Sequence, residues 1–296
     1  MSFATLKAIG VLVAIWLFSI VIGYQLLRPL RPHRTNLSLS LFNGVDYKRT
    51  AVAVPRRVMV HLITIDLTRT QPSYLVTQPD RNGFIEQYDA RTTSDYLSEN
   101  DVQIALNGGF FYPFWSKHPL SFYPQKGDPV TPLGITISDG QLVQNEDSDA
   151  VSVLCIGKSD FHIHDAFCPL DTMQAISGNL LYVRNSEPTL PADHVSEPLP
   201  RTMLAYNNER SLLWLVVADG RQPLYSRGLT LLEMQQIALD LGAEGAINLD
   251  GGGSSTLVIE NEGEPYTLNA PIHTRIPMRQ RPVANHLGIR LPKSAE

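Results

Sequence analysis

The chain has 296 residues, of which 43% are hydrophobic and 18% charged, and its formal net charge at pH 7 is -5. That length and apolar content support a large folded core and exclude a disordered chain. The acidic balance and the lack of any Lys/Arg run exclude a phosphate-tracking groove, so no nucleic-acid partner is expected.

Residues 1–7 form a short N-terminal tail. Residues 8–27 (AIGVLVAIWLFSIVIGYQLL) are uncharged and match the ~20 residues that a bilayer-spanning helix needs. No A-x-A-like cleavage site precedes Arg28, so the segment is expected to stay as a membrane anchor. Lys7 lies before it and Arg28, Arg31 and Arg34 follow, a balance that by itself would leave the rest of the chain in the cytoplasm. Residues 28–50, with Pro and Arg and then polar residues, read as a linker, and residues 51–296 as one folded domain.

Within that domain, 58–67 (VMVHLITIDL) alternates as a strand does, and 103–112 (QIALNGGFFY) reads as a short buried strand entering a glycine turn. The stretch 133–143 (LGITISDGQLV) predicts a hairpin turning on Asp139-Gly140. Cys155 and Cys168 fit neither a zinc ribbon nor a CxxC motif. They are either one loop-closing disulfide in an oxidising compartment or two small buried hydrophobes. His162 and His164 would share a strand face without a third ligand, so no metal is assigned, and no cofactor is expected.

The C-terminal half carries the strongest pattern. The apolar run 212–218 (LLWLVVA) stops at Asp219-Gly220-Arg221. In 229–242 (LTLLEMQQIALDLG), Thr230 and Glu233 have capping-box spacing, Leu229 and Met234 staple spacing, and Gly242 ends the helix. A second strand, 246–249 (AINL), then delivers Asp250, Gly251, Gly252, Gly253, Ser254 and Ser255. If the two strands are neighbours, Asp219 and Asp250 emerge at one rim as a carboxylate pair; taken singly, each Asp-Gly could simply open a turn. Three successive glycine amides and two serine hydroxyls could form an anion-binding nest. Neither a Walker loop nor G-x-G-x-x-G is present. Arg201 and Arg221 are candidates for bidentate contact with phosphate, and Asn107-Gly108-Gly109 is a second polar-glycine turn at a strand end. The pattern as a whole gives an α+β fold class: a single domain with a mixed β-sheet and flanking helices, preceded by one N-terminal transmembrane helix.

In order along the chain, ALNGGFF (105–111), LGITISDGQLV (133–143), AISGNLL (175–181), PRT (200–202), VVADGR (216–221), the block GLTLLEMQQIALDLGAEGAINLDGGGSSTLV (228–258) and RPVAN (281–285) resemble the phosphodiester glycosidase family. The resemblance runs from about Val58 onward, and the long block is its specific part. Asn179-Leu180 stands where members often carry Gly-Pro, and Gln280 where they often carry Glu, departures that bear on substrate more than on fold.

The resemblance implies a hydrolase that cleaves a sugar from a phosphodiester-linked glycoconjugate or envelope polymer, here held at the membrane by the apolar segment 8–27. It also implies an extracytoplasmic domain, against the charge count, and a glycine loop that lines the active site. On this reading Asp250 activates water or stabilises an oxocarbenium-like centre, with Asp219 as its partner. Asn107, Gly108, Arg201, Thr202, Arg221, Gly251, Gly252, Gly253, Ser254 and Ser255 hold the substrate. The partners are a sugar-phosphate or polysaccharide substrate and, through the N-terminal helix, the membrane. The alternative is a non-catalytic envelope protein that binds polysaccharide or an anionic polymer in the same pocket, with Tyr112, Phe114 and Trp115 available to stack on sugars.

Overall fold

The computed structural model describes residues 3–27, 30–80, 88–144, 152–157, 160–165, 167–209 and 211–292. Residues 1–2 of the expected tail, 28–29 of the expected linker and 293–296 of the expected domain lie outside them.

The apolar runs of the sequence lack polar alternation because the strands they form are covered on both faces. Eight strands make the central sheet: β1 (Leu37–Phe42), β2 (Val45–Val52), β3 (Val58–Asp66), β4 (Leu180–Arg184), β5 (Glu187–Pro188), β6 (Arg201–Asn207), β7 (Leu212–Ala218) and β8 (Ala243–Leu249). Their spatial order is β1-β2-β3-β7-β6-β8-β4-β5. On one face Leu204, Leu213, Leu215, Val217, Ile247 and Leu249 meet apolar residues of two further five-stranded sheets. On the other, Met203, Trp214, Val216 and Ala246 pack under helix α3 (Leu231–Asp240).

The expected mixed sheet is corrected: every strand pair in the central sheet is antiparallel. The strands β7 and β8, expected as neighbours, run parallel but are separated by β6, which pairs with both. The physical reason is that β6 enters from upstream of β7 and closes a hairpin with it, so α3 carries the chain across β6 rather than to the adjacent position. All three strands still bring their site ends to one rim, since Arg201 opposes Ala218 and Thr202 opposes Leu249.

The capping box at Thr230 and Glu233 is formed, and Gly242, with φ +76°, ends the helix. The 133–143 hairpin forms with both Asp139 and Gly140 at positive φ. Cys155 and Cys168 are joined in a disulfide. Most of the expected linker is instead folded: β1 and β2 form a hairpin that extends the central sheet through β3, and Val45 and Tyr47 are core residues. The stretch reads as polar because Asp46 and Lys48 alternate with the buried Val45 and Tyr47, and Ser38 and Ser40 of the edge strand β1 are exposed.

Residues Phe3–Leu27 form a 25-residue helix, α1, preceding the domain. Over the described residues alone, no helix is long and apolar enough to cross a membrane; the side chains of Ala8, Leu17, Ile20, Val21 and the last turn of α1 lie outside that description.

Candidate active site

A cavity of about 1040 Å³ opens at the rim where β6 and β4 begin and β8 ends. Arg201, Arg221, Arg275 and Arg281 line it, together with Asp250, Glu197, Asn179, Asn248, Gly251, Gly252 and Phe114. Four guanidinium groups thus face two carboxylates, a charge balance suited to an anion.

Asp250 is largely buried. Its carboxylate accepts from Ser254 Oγ at 2.5 Å, and Arg281 Nη1 lies 3.8 Å from it. Burial pushes its pKa above the ordinary Asp value, opposed by Arg281, the Ser254 hydroxyl, the Gly251 amide and Arg221. Arg281 also donates to Ser254 Oγ at 2.9 Å and lies 4.1 Å over the Phe114 ring, so its guanidinium is held in place on two sides.

The arginines are short of negative charge. Burial lowers the pKa of Arg221, with Asp250 opposing that shift and Arg275 adding to it. Burial lowers that of Arg281, again opposed by Asp250 and reinforced by Arg221. Burial also lowers that of Arg201, offset by Tyr182 and deepened by Arg221. An anion bound among them would relieve this mutual repulsion.

The three glycines do something other than expected. A Cβ on Gly251 would stand 2.7 Å from the Pro200 carbonyl oxygen, one on Gly252 3.0 Å from Arg221 Nη1, and one on Gly253 2.6 Å from Arg281 Nη2. The glycines make room for the protein's own backbone and arginines, and Gly252 adopts φ +63°. Several donors of the expected nest are used within the protein: the Gly252 amide donates to Pro200 O, and the Ser254 hydroxyl and the Gly251 amide to the Asp250 carboxylate. The anion-facing groups are guanidiniums.

Asp219 does not belong to the cavity, and the expected carboxylate pair is not formed. Its Oδ1 accepts from Asn269 Nδ2 at 3.1 Å and the Ala270 amide at 2.7 Å, and its Oδ2 pairs with His61 Nε2 at 2.9 Å. His61 Nδ1 in turn lies 2.8 Å from the Tyr47 hydroxyl. All three residues are buried. The chain turns sharply after Asp219, so Arg221, at φ +56°, reaches the cavity while the carboxylate faces inward.

Asn107 and Thr202 are structural neighbours of the site. Asn107 Nδ2 donates to Asp250 O at 2.7 Å, while its Oδ1 accepts from the Thr256 amide at 3.1 Å and Thr202 Oγ1 at 3.0 Å. One amide therefore holds both ends of the glycine loop. The Gly108 carbonyl accepts from the Asp250 amide, and a Cβ on Gly108 would collide with Asn285 Oδ1. Ser255 is buried behind the loop. Gln280 lies away from the cavity, accepting from the Ser94 amide in the first turn of helix α2 (Thr93–Asn100).

Sequence reasoning missed Arg275, Arg281, Glu197, Asn179 and Asn248 as lining residues. Arg281 had a signal, since it opens the RPVAN motif; Arg275 had none.

A family model described as phosphodiester glycosidase matches residues 100–290. The chain is 27% identical over 237 residues to N-acetylglucosamine-1-phosphodiester alpha-N-acetylglucosaminidase of Mus musculus, a match covering 71% of this chain and 42% of that protein. The chain thus spans less than half the length of that relative. Its fold is similar to the catalytic domain of zebrafish N-acetylglucosamine-1-phosphodiester alpha-N-acetylglucosaminidase, auto-inhibited by its pro-peptide, with TM-score 0.61 and 21% identity over 89% of this chain and 92% of that one. It is also similar to a hypothetical protein from Synechocystis, with TM-score 0.52 and 15% identity over 86% and 63% of the two chains.

Proposed function

Because the chain belongs to the phosphodiester glycosidase family, we propose that its cavity hydrolyses the bond between a sugar's anomeric carbon and a phosphodiester oxygen, in a glycoconjugate or envelope polymer. The observation that carries this reading is the arginine excess around one largely buried carboxylate, Asp250. Arg201, Arg221 and Arg281 would hold the phosphate and stabilise the charge that develops on it as the glycosidic bond breaks. The departing phosphate monoester has a second pKa near ~6, so it needs little help from a general acid. A second catalytic carboxylate is then unnecessary, which accords with the inward-facing Asp219. Asp250 would activate the attacking water or support the oxocarbenium-like centre, and burial raises its basicity.

The test is release of free sugar from a panel of sugar-1-phosphodiesters, with binding measured alongside. Asp250→Asn keeps shape and hydrogen bonding but removes the charge, so turnover should fall by about 10²-fold or more while binding survives. Unchanged turnover would remove Asp250 from the chemistry. Binding of polymers with no release from any diester would favour the non-catalytic alternative, for which Phe114 and Trp115, 43% and 42% exposed, offer stacking surfaces.

The protein is anchored by α1 with the domain outside the cytoplasm. Supporting this are exposed apolar side chains such as Leu12, Trp16 and Phe18, the absence of charge over residues 8–27, and a disulfide of the kind that persists in oxidising compartments. Arg31 and Arg34 are tied to the domain through Gln222 Oε1 and Val52 O. They are therefore less able to act as free cytoplasmic determinants. Protease accessibility of the domain in sealed vesicles of known orientation tests the location, and N-terminal sequencing tests retention of the helix.

A further inference from the structure

The geometry points to Asn179 as a specificity-determining residue that donates a hydrogen bond to an acceptor oxygen on the sugar half of the substrate, its polarity set by Tyr182 through Asn248. This rests on the phosphodiester reading above and adds to it where the sugar sits and what it must offer.

The argument begins at Tyr182, which is fully buried on β4. Burial pushes its hydroxyl pKa up, so it keeps its proton. That proton goes to Asn248 Oδ1, 2.6 Å away, because leaving a buried hydroxyl hydrogen unpaired is costly. With its oxygen occupied by a donor, Asn248 must present Nδ2 to its other neighbour, and Nδ2 donates to Asn179 Oδ1 at 2.6 Å. Asn179 then has its own oxygen committed and its Nδ2 left as a donor. Asn179 and Asn248 both line the cavity.

Strand order gives the direction of the substrate. Across the rim it runs β7, β6, β8, β4. Arg221 follows β7, Arg201 opens β6, Asp250 follows β8 and Asn179 precedes β4. Neighbouring strands lie about 4.8 Å apart, so Arg201 and Arg221 lie on one side of Asp250 and Asn179 on the other, with Asn248 on Asp250's own strand β8 bridging towards Asn179. A phosphate on the arginine side and an anomeric carbon near Asp250 leave the sugar ring on the Asn179 side. The wall there offers amide donors, so it selects a sugar with an accepting oxygen, a hydroxyl or a carbonyl, at the position that faces it.

The probe is α-N-acetylglucosamine 1-(methyl phosphate), together with analogues that each lack one hydroxyl or the acetyl carbonyl, measured on the full chain in detergent by Kd and by kcat/KM. In the native chain, one analogue should bind and react about 10-fold or more weakly than the parent. Asn179→Ala should lose a similar factor on the parent and nothing further on that analogue. Tyr182→Phe should reproduce part of the loss with the same analogue dependence, which a packing defect would not do. Losses that multiply for every analogue, or an Asn179→Ala variant equal to the native chain on all of them, would overturn the assignment. Binding that follows the expected pattern without sugar release would leave Asn179 in place and refute the hydrolase reading instead.

Discussion

Asp219 and Asp250 show how two identical side chains after two similar strands come to different ends. Asp219 is saturated by His61, Asn269 and the Ala270 amide. Asp219→Asn would place an NH₂ group against one of these donors and should lower unfolding free energy by about 1–3 kcal/mol, while kcat measured where the variant is still folded stays near native. Urea denaturation together with initial rates distinguishes this from a catalytic role, which would lower kcat at unchanged stability. The glycine loop makes a second contrast at this scale. Gly251→Ala would drive a Cβ into the Pro200 carbonyl, which cannot move cheaply, and should cost stability. Gly253→Ala would press on the Arg281 guanidinium and should chiefly raise the KM of phosphodiesters. Paired thermal melts and kinetics check the division. Asp250, the loop and the arginines at 201 and 221 were legible from residue type and strand-end position. The purpose of the glycines was not, because what fills the space beside them comes from three other segments: the Pro200 carbonyl beside Gly251, Arg221 beside Gly252 and Arg281 beside Gly253.

At the scale of elements, the runs that became β3, β7, β8 and α3 could be read directly, since each has a clean start and stop signal within its own segment. Adjacency could not. Nothing local to β7 or β8 records that β6 is inserted between them. The β1–β2 hairpin does carry a local signal that a linker reading passes over, since Leu37, Leu39 and Leu41 alternate with serines and Asn43-Gly44 joins the two strands. The disulfide is likewise a fact about two segments at once. It ties strand Ser152–Ile156 to the chain 13 residues on, a loop for which chain entropy suggests about 3 kcal/mol. Chemical denaturation with and without reductant should show a loss of that order, with Cys155→Ser/Cys168→Ser matching the reduced protein. A bridge that contributes nothing would leave the two curves superimposed.

At the scale of the whole molecule, two buried histidines add to the response to acid, alongside carboxylates such as Asp95 and Glu233 whose pKa values are also lowered. His286 and His273 have pKa values lowered to about 3, in each case chiefly by burial, against about 6.5 in an unfolded chain. Both stay neutral in the folded protein while the unfolded chain takes up protons. Their contribution is therefore intact above about pH 6.5 and is lost progressively as pH falls towards about 3. His286→Gln should flatten the stability profile over that window, as followed by the denaturation midpoint at a series of pH values; an unchanged slope would place the acid response elsewhere. The Asn107 amide acts on the same scale. It sits at the end of Ile104–Asn107, in a sheet that packs on the central one, and bonds to Asp250 and Thr202 of the central sheet's rim and to Thr256 beyond it. The two layers cannot part without releasing the loop that carries Asp250, and the loop cannot swing free while they stay together. Heat inactivation and loss of fold should then be one event: residual activity plotted against temperature should overlay the circular-dichroism melt, with no range in which a folded but inactive form accumulates.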